Sequence, residues 1–211
     1  MLRATVFALF LLLAINPAPA KDFDYYTLAL SWSPTWCGIE RNADEDQCQP
    51  GRRFAFVVHG LWPQFEKGWP QNCGPAERLP GKLIDAQLDI MPAKGLVIHQ
   101  WRKHGTCSGL KAGEYFNELR ERFQAVRIPA RYLSPTKTVE VRPADLINDF
   151  IKSNKGLTAD MLSVQCGGKR GGRARLTELR ICMGKQDGFD RCGENERRSC
   201  QADTLVLPPV R

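Results

Sequence analysis

Histidine is scarce in this chain of 211 residues, and its three copies fall in two short segments. His59 lies in VVHGLWPQ, whereas His99 and His104 lie in IHQWRKHGTC. An ordinary histidine pKa near 6.5 lets one neutral and one protonated imidazole coexist in mildly acidic solution. Such a pair can take a proton from an attacking hydroxyl and give one to a leaving oxygen. A lone histidine is more often structural, but this clustering beside Lys103 favours His59 and His104 as a catalytic pair.

The second segment predicts a helix from Leu96 to His104, with Gly105 as its C-terminal cap. If His99 defines 0° on that helix, Lys103 falls at about 40°, Gln100 at about 100° and His104 at about 140°. Four polar side chains then share one arc. If His59 faces this arc, two imidazoles bracket a phosphodiester, and Lys103 and His99 can stabilise charge on its oxygens.

The elements that position these residues are predicted from the hydrophobic pattern. Residues Tyr25 to Trp32 and Phe54 to Val58 read as core strands, and Gly60 and Pro63 are expected to end the second strand at His59. Four more segments show periodic patterns, namely 114–123 and 144–153 as helices and 161–166 and 175–182 as strands. Because helices and strands do not alternate regularly, this mixture indicates a single α+β domain.

Residues 1–20 have the pattern of a cleaved signal peptide. A positive start at Arg3 precedes an apolar run from Ala4 to Ile15 and a small-residue exit, Ala18-Pro19-Ala20. The run is too short to span a bilayer, so we expect a secreted or periplasmic domain over residues 21–211 with no membrane partner. Without the signal, 29 Lys and Arg face 23 Asp and Glu. That charge of +6 suits a polyanion, but it equally keeps an exported protein in solution.

All eight cysteines follow the predicted signal, which favours disulfides in an exported chain. Eight cysteines allow 105 pairings, and closeness in sequence favours Cys37 with Cys48 and Cys182 with Cys192. The chain contains no Cys-x-x-Cys pair, which weakens a zinc-site interpretation.

The segments HGLWP and WRKHGTC resemble the two signature segments of the ribonuclease T2 family of acid endoribonucleases, and SWSPTWC resembles a third. The resemblance implies that His59 is the general acid, His104 the general base, and Lys103 and His99 the phosphate-binding groups. It also places Trp62 at a base-stacking position. Four disulfides follow from the same resemblance, namely Cys37–Cys48, Cys73–Cys107, Cys166–Cys200 and Cys182–Cys192.

The implied fold is an α+β domain with a central, mainly antiparallel sheet flanked by helices. The implied reaction is cleavage of single-stranded RNA to a 2′,3′-cyclic phosphate, followed by slower hydrolysis to a 3′-phosphate. No cofactor or metal is expected, because the nucleophile is the 2′-hydroxyl of the substrate. DNA lacks that hydroxyl, so we expect it to resist cleavage. We expect the enzyme to be a monomer.

One position departs from the family pattern, since His-Glu-Trp is replaced here by His99-Gln100-Trp101. An amide can still donate a hydrogen bond to a phosphoryl oxygen, but it cannot hold a negative charge near His104. We favour an active enzyme with Gln100 in its site. A catalytically weakened RNA-binding member of the family is one alternative, and a zinc enzyme built on the three histidines is another.

Overall fold

The computed structural model describes residues 22–39, 45–167 and 172–210, so the predicted signal at 1–20 lies outside it. Its strands are β1 (Tyr25–Trp32), β2 (Phe56–Gln64), β3 (Val139–Val141), β4 (Leu162–Gly167), β5 (Arg173–Gly184) and β6 (Thr204–Leu207). Its α-helices are α1 (Ser33–Ile39), α2 (Glu45–Cys48), α3 (Gly81–Asp85), α4 (Lys94–Lys103), α5 (Ala112–Ala125) and α6 (Pro143–Ser153).

The described strands form one sheet in the order β2-β1-β5-β6-β3, and β4 pairs with β5 beside this path. All pairings are antiparallel except that of β5 with β6. The predicted α+β domain with a mainly antiparallel sheet is therefore confirmed.

The two faces of the sheet differ in chemistry. Leu28, Leu30 and Trp32 alternate along β1 and are fully buried with the apolar side chains of α5 and α6. The intervening residues of β1, which include Thr27 and Ser31, face the other side of the sheet. On that side, Ser31 pairs with Glu178 of β5. Because side chains alternate between faces of a strand, the apolar face supplies the core and the polar face is left for chemistry.

Strand β2 does not end at His59, contrary to the prediction, but continues to Gln64. Pro63 is tolerated because β2 lies at the end of the strand order, where a missing N–H breaks no central ladder. Leu30 of β1 pairs with Val58 and Ala29 pairs with Gly60, which leaves His59 as one extra residue on β2. The bulge shifts the alternation of β2 by one residue, so Val58 and Leu61 both face the core while His59 and Trp62 both face the polar side.

Helix α4 begins two residues earlier than predicted and ends at Lys103, so His104 is its C-cap instead of its last turn. The helix stops there because the chain enters a 3₁₀ turn at Gly105–Cys107 and the Lys103 carbonyl accepts the Asn72 amide at 2.9 Å. A Cβ at Gly105 would collide with the rings of Trp101 and Tyr115. Glycine at this position thus allows the tight exit that follows His104.

The four disulfides expected from the resemblance are present, namely Cys37–Cys48, Cys73–Cys107, Cys166–Cys200 and Cys182–Cys192. The Cys73–Cys107 bond lies directly after the end of α4. Thr106 Oγ1 accepts the Cys73 amide at 3.2 Å and donates to the Arg102 carbonyl at 3.0 Å. The end of α4 is therefore fixed covalently and by hydrogen bonds. Within the described ranges, no helix is long and apolar enough to cross a membrane.

Candidate active site

A cleft of about 560 Å³ opens on the polar face of the sheet, between β2 and β5 on one side and α4 on the other. All six side chains that the sequence indicated for catalysis or substrate binding line it, namely His59, Trp62, His99, Gln100, Lys103 and His104. Strand β2 is held there partly by Tyr115 of α5, whose hydroxyl donates to the Leu61 carbonyl at 2.8 Å.

On the strand side of the cleft, His59 is paired with a carboxylate. Its Nδ1 makes a short hydrogen bond with Glu178 Oε1, which also accepts the Ser31 hydroxyl at 3.3 Å. Burial alone would raise the pKa of Glu178, but the contacts with His59 and Arg180 outweigh it and lower the pKa to about 2. Glu178 is therefore ionised beside His59 at any ordinary pH.

A second carboxylate completes this charged group. Arg180 donates from Nε to Glu178 Oε2 at 2.9 Å and from Nη1 to Glu196 Oε2 at 3.2 Å. Burial raises the pKa of Glu196, and the charge of Arg180 opposes that effect. We call Glu178, Arg180 and Glu196 the carboxylate–arginine cluster.

The sequence interpretation missed this cluster. Glu178 and Arg180 stand two apart in β5, a spacing that places opposite charges on one face of the strand. That signal was available. Glu196 belongs to a 3₁₀ turn, Glu194–Glu196, and no pattern in the sequence connects it to the other two.

On the helix side, His104 lies in a very different environment. It is only 6% exposed, and its Nδ1 has no hydrogen-bond partner among the described residues. Burial, followed by the charges of Lys103, His59 and His99, lowers the pKa of His104 to about 3. His104 is therefore a neutral imidazole above that pH, ready to accept a proton.

His99 and Lys103 lie nearer to solvent on the same helix. Desolvation, Lys103 and His59 all lower the pKa of His99. Helix α4 contains no acidic residue, so its side of the cleft offers only cations and neutral groups. That composition suits an anionic ligand.

Trp62 connects the two sides of the cleft. Its indole Nε1 donates to Gln100 Oε1 at 2.7 Å, its ring stacks on His104 with centroids 5.2 Å apart, and the Arg180 guanidinium lies 5.1 Å from its centroid. Gln100 is only 1% exposed. A Cβ at Gly60 would collide with both Gln100 Oε1 and Trp62 Nε1, so this hydrogen bond needs glycine there.

Two further observations bear on ligands. Among the described residues, no group of three or more His, Cys, Asp and Glu side chains could hold a metal ion. A second cleft of about 470 Å³ adjoins the first, shares His59 and His99 with it, and is also lined by Trp36 and Leu96. In the first cleft, Trp69 is 53% exposed and offers a free aromatic face.

Comparison with known proteins identifies the family. Residues 23–192 match the ribonuclease T2 family. A ribonuclease of Aeromonas hydrophila is 36% identical over 207 residues, covering 91% of this chain and 88% of the relative. Ribonuclease I of Escherichia coli K12 is 27% identical over 214 residues, covering 81% and 79%. RNase NT, solved in complex with 5′-AMP, has a TM-score of 0.69 at 21% identity, covering 90% of this chain and 100% of the other. An RNase-related protein from Calystegia sepium has a TM-score of 0.70 at 22% identity, with the same coverage. The chain belongs to the ribonuclease T2 family.

Proposed function

We propose that this protein is an endoribonuclease that cleaves single-stranded RNA by metal-independent transphosphorylation. The observation that carries the proposal is the opposite setting of two imidazoles in one cleft. His59 lies against the ionised Glu178, whereas His104 is buried among cations and is neutral above a pH of about 3. General acid–base catalysis needs one imidazole that holds its proton and one that has lost it.

In the first step, neutral His104 accepts the proton of the ribose 2′-hydroxyl, and the 2′-oxygen attacks phosphorus. His59 gives its proton to the departing 5′-oxygen, which leaves a 2′,3′-cyclic phosphate. Lys103 and His99 stabilise the charge on the phosphoryl oxygens. In a slower second step, a water oxygen attacks the phosphorus of the cyclic phosphate, the phosphorus–2′-oxygen bond breaks, and the 2′-oxygen takes up a proton, which leaves a 3′-phosphate. The first step is that of a phosphorus–oxygen lyase, and the second is a hydrolysis.

An endonuclease must hold a nucleoside on each side of the phosphate. We assign those two positions to the two clefts that share His59 and His99. The resemblance implies base stacking at Trp62, but the Trp62 ring is 9% exposed and lies against His104 and Arg180. We therefore add Trp69 of the same cleft, which is 53% exposed, as a second stacking position. Gln100 holds Trp62 through its oxygen, so its amide nitrogen is the part left to donate to a phosphoryl oxygen.

The test is incubation of the oxidised protein, residues 21–211, with RNA in EDTA from pH 4 to 8, followed by identification of the product ends. We expect cyclic phosphate ends first and 3′-phosphate ends later. DNA of the same sequence should stay intact because it lacks the 2′-hydroxyl. Loss of cleavage in EDTA would support the zinc alternative, and RNA binding without cleavage would support the weakened family member. The periplasmic or extracellular location expected from residues 1–20 is tested by cell fractionation.

A further inference from the structure

The carboxylate of Glu178 is fixed on several sides. It is 9% exposed, and its two oxygens accept hydrogen bonds from His59 Nδ1, Ser31 Oγ and Arg180 Nε. Glu196, 4% exposed, holds Arg180 from the other side and is itself bonded by Thr27 Oγ1 at 3.5 Å. Glu178 therefore cannot turn away from His59 without giving up its hydrogen bonds with Ser31 and Arg180.

The balance of charge in this group depends on the proton of His59. With both carboxylates ionised, Glu178 and Glu196 carry two negative charges, and Arg180 and protonated His59 carry two positive ones. Loss of the His59 proton leaves one uncompensated negative charge in a partly buried group, which is unfavourable. The geometry directs Nδ1–H of His59 to Glu178, which leaves Nε2–H for the substrate.

We infer that Glu178 is the positioning residue of the general acid: it directs the transferable proton to His59 Nε2 and supplies the negative charge that Gln100 cannot supply from α4. This inference rests on the proposed function. During cleavage the 2′-oxygen–phosphorus bond forms, the phosphorus–5′-oxygen bond breaks, and the His59 Nε2 proton moves to the 5′-oxygen. The 2′-hydroxyl proton ends on His104, and the Nδ1 proton stays on His59 against Glu178.

Several charged or titratable groups face His59, from β5, from the 3₁₀ turn and from α4, namely Glu178, Arg180, Glu196, His99, Lys103 and His104. Of these, Glu178 is the acidic group in direct contact with the imidazole. Replacing it with a neutral amide removes the negative charge nearest to the imidazole, while Arg180, His99, Lys103 and His104 remain around it. The alkaline limb of the pH–rate profile, which reports the acid, should move toward acidic pH.

The experiment compares Glu178→Gln with the unchanged protein on two substrates. On a dinucleotide, the leaving 5′-oxygen needs a proton, and we expect kcat to fall about 10²-fold, the lower end of what a positioned acid contributes. KM should be nearly unchanged. On a nucleoside 3′-(4-nitrophenyl phosphate), the leaving group departs without a proton, and kcat should fall far less. An equal loss on both substrates, or an unmoved alkaline limb, would overturn the inference.

Glu140→Gln is the matched control, because it removes the same charge from an exposed pair with Arg173 on the surface. It should leave both substrates and the pH profile unchanged. If Glu178→Gln unfolds at a much lower temperature, the hydrogen bond between His59 and Glu178 is tested by proton NMR of the unchanged protein. A strongly downfield His59 Nδ1 proton is expected, and its absence would contradict the inference. If the unchanged protein cleaves RNA to cyclic phosphate but Glu178→Gln behaves normally, this inference fails and the proposed function stands. If the unchanged protein does not cleave RNA, the proposed function fails.

Discussion

His59 on the strand side of the cleft and His104 on the helix side face the same space but lie in opposite electrostatic environments. On the strand side, His59 lies against Glu178, whose far oxygen is held by Arg180. On the helix side, His104 has no acidic neighbour along α4 and no hydrogen-bond partner for Nδ1 among the described residues. His104 is instead positioned by stacking on Trp62.

In the proposed mechanism, this difference in surroundings assigns the acid role to His59 and the base role to His104. A carboxylate partner favours the cationic form of an imidazole, whereas burial among cations favours the neutral form. Two groups whose environments push their proton affinities apart are the usual arrangement for an acid and a base acting together. Because the two side chains are chemically identical, only their different surroundings can distinguish an acid from a base.

The largest expected effect comes from removing either histidine. On a dinucleotide, His59→Ala and His104→Ala should each lower kcat by about 10²- to 10⁴-fold. On the 4-nitrophenyl ester the two should differ, because its leaving group needs no proton. His59→Ala should retain most of its activity there, whereas His104→Ala should remain impaired since the 2′-hydroxyl still needs a base.

The opposite result on the 4-nitrophenyl ester would contradict the assignment of the two histidines. Retained activity of His104→Ala on the activated ester would make His104 the acid and His59 the base. Thermal unfolding of both variants controls for loss of the fold. His104 is buried, so His104→Asn provides a second variant that keeps a polar group in the space.

Lys103 should have the next largest effect. It lines the cleft and contacts the phosphate in the proposed mechanism. Lys103→Met should therefore lower kcat by about 10²- to 10³-fold, as loss of a transition-state charge donor does. Arg102→Met is the matched control, because Arg102 lies on the same helix but lines a different cleft with Trp101. Steady-state kinetics on a dinucleotide measures both. Equal losses in the two variants would indicate a general effect of surface charge, not a specific contact.

The sequence predicted much of this site because its signals are local. Helical spacing placed His99, Gln100 and Lys103 on one arc, and all three line the cleft. The α+β class followed from the hydrophobic patterns of the predicted strands and helices. Strand β1 has its predicted bounds, Tyr25–Trp32. The end of β2 was predicted wrongly, because Gly60 and Pro63 normally break strands. Here the edge position and the bulge accommodate them.

The carboxylate–arginine cluster could not be found in the same way, because it depends on long-range contacts. Glu178 is 119 residues from His59, and only the pairing of β1 with both β2 and β5 brings them together. Glu196 pairs with Arg180 from the turn Glu194–Glu196, and only the tertiary fold brings that turn next to β5. Sequence spacing predicts which side chains share one face of a helix or strand. To predict a charged partner on another strand, the order of the strands in the sheet must be known.

Restoring a carboxylate at position 100 gives the smallest expected change, and it is the most direct test of the charge asymmetry. Glutamate in Gln100→Glu keeps an oxygen acceptor for Trp62 Nε1, so the geometry should be preserved. Burial, followed by nearby cations, lowers the pKa of His104 to about 3, and a negative charge at position 100 would oppose the cations and raise that pKa. The base would then become protonated at a higher pH.

The acidic limb of kcat/KM, which reports the free enzyme, should therefore move to higher pH in Gln100→Glu. At pH 4 the variant should be slower than the unchanged protein, whereas near pH 7 turnover should differ by less than about tenfold, because His104 is neutral in both. Gln124→Glu, on the exposed side of α5, adds the same charge away from the cleft and should shift neither limb. An unchanged acidic limb in Gln100→Glu would mean that charge on α4 does not control His104. The low proton affinity of the base would then come from burial alone, and the replacement of glutamate by Gln100 would carry no cost in this site.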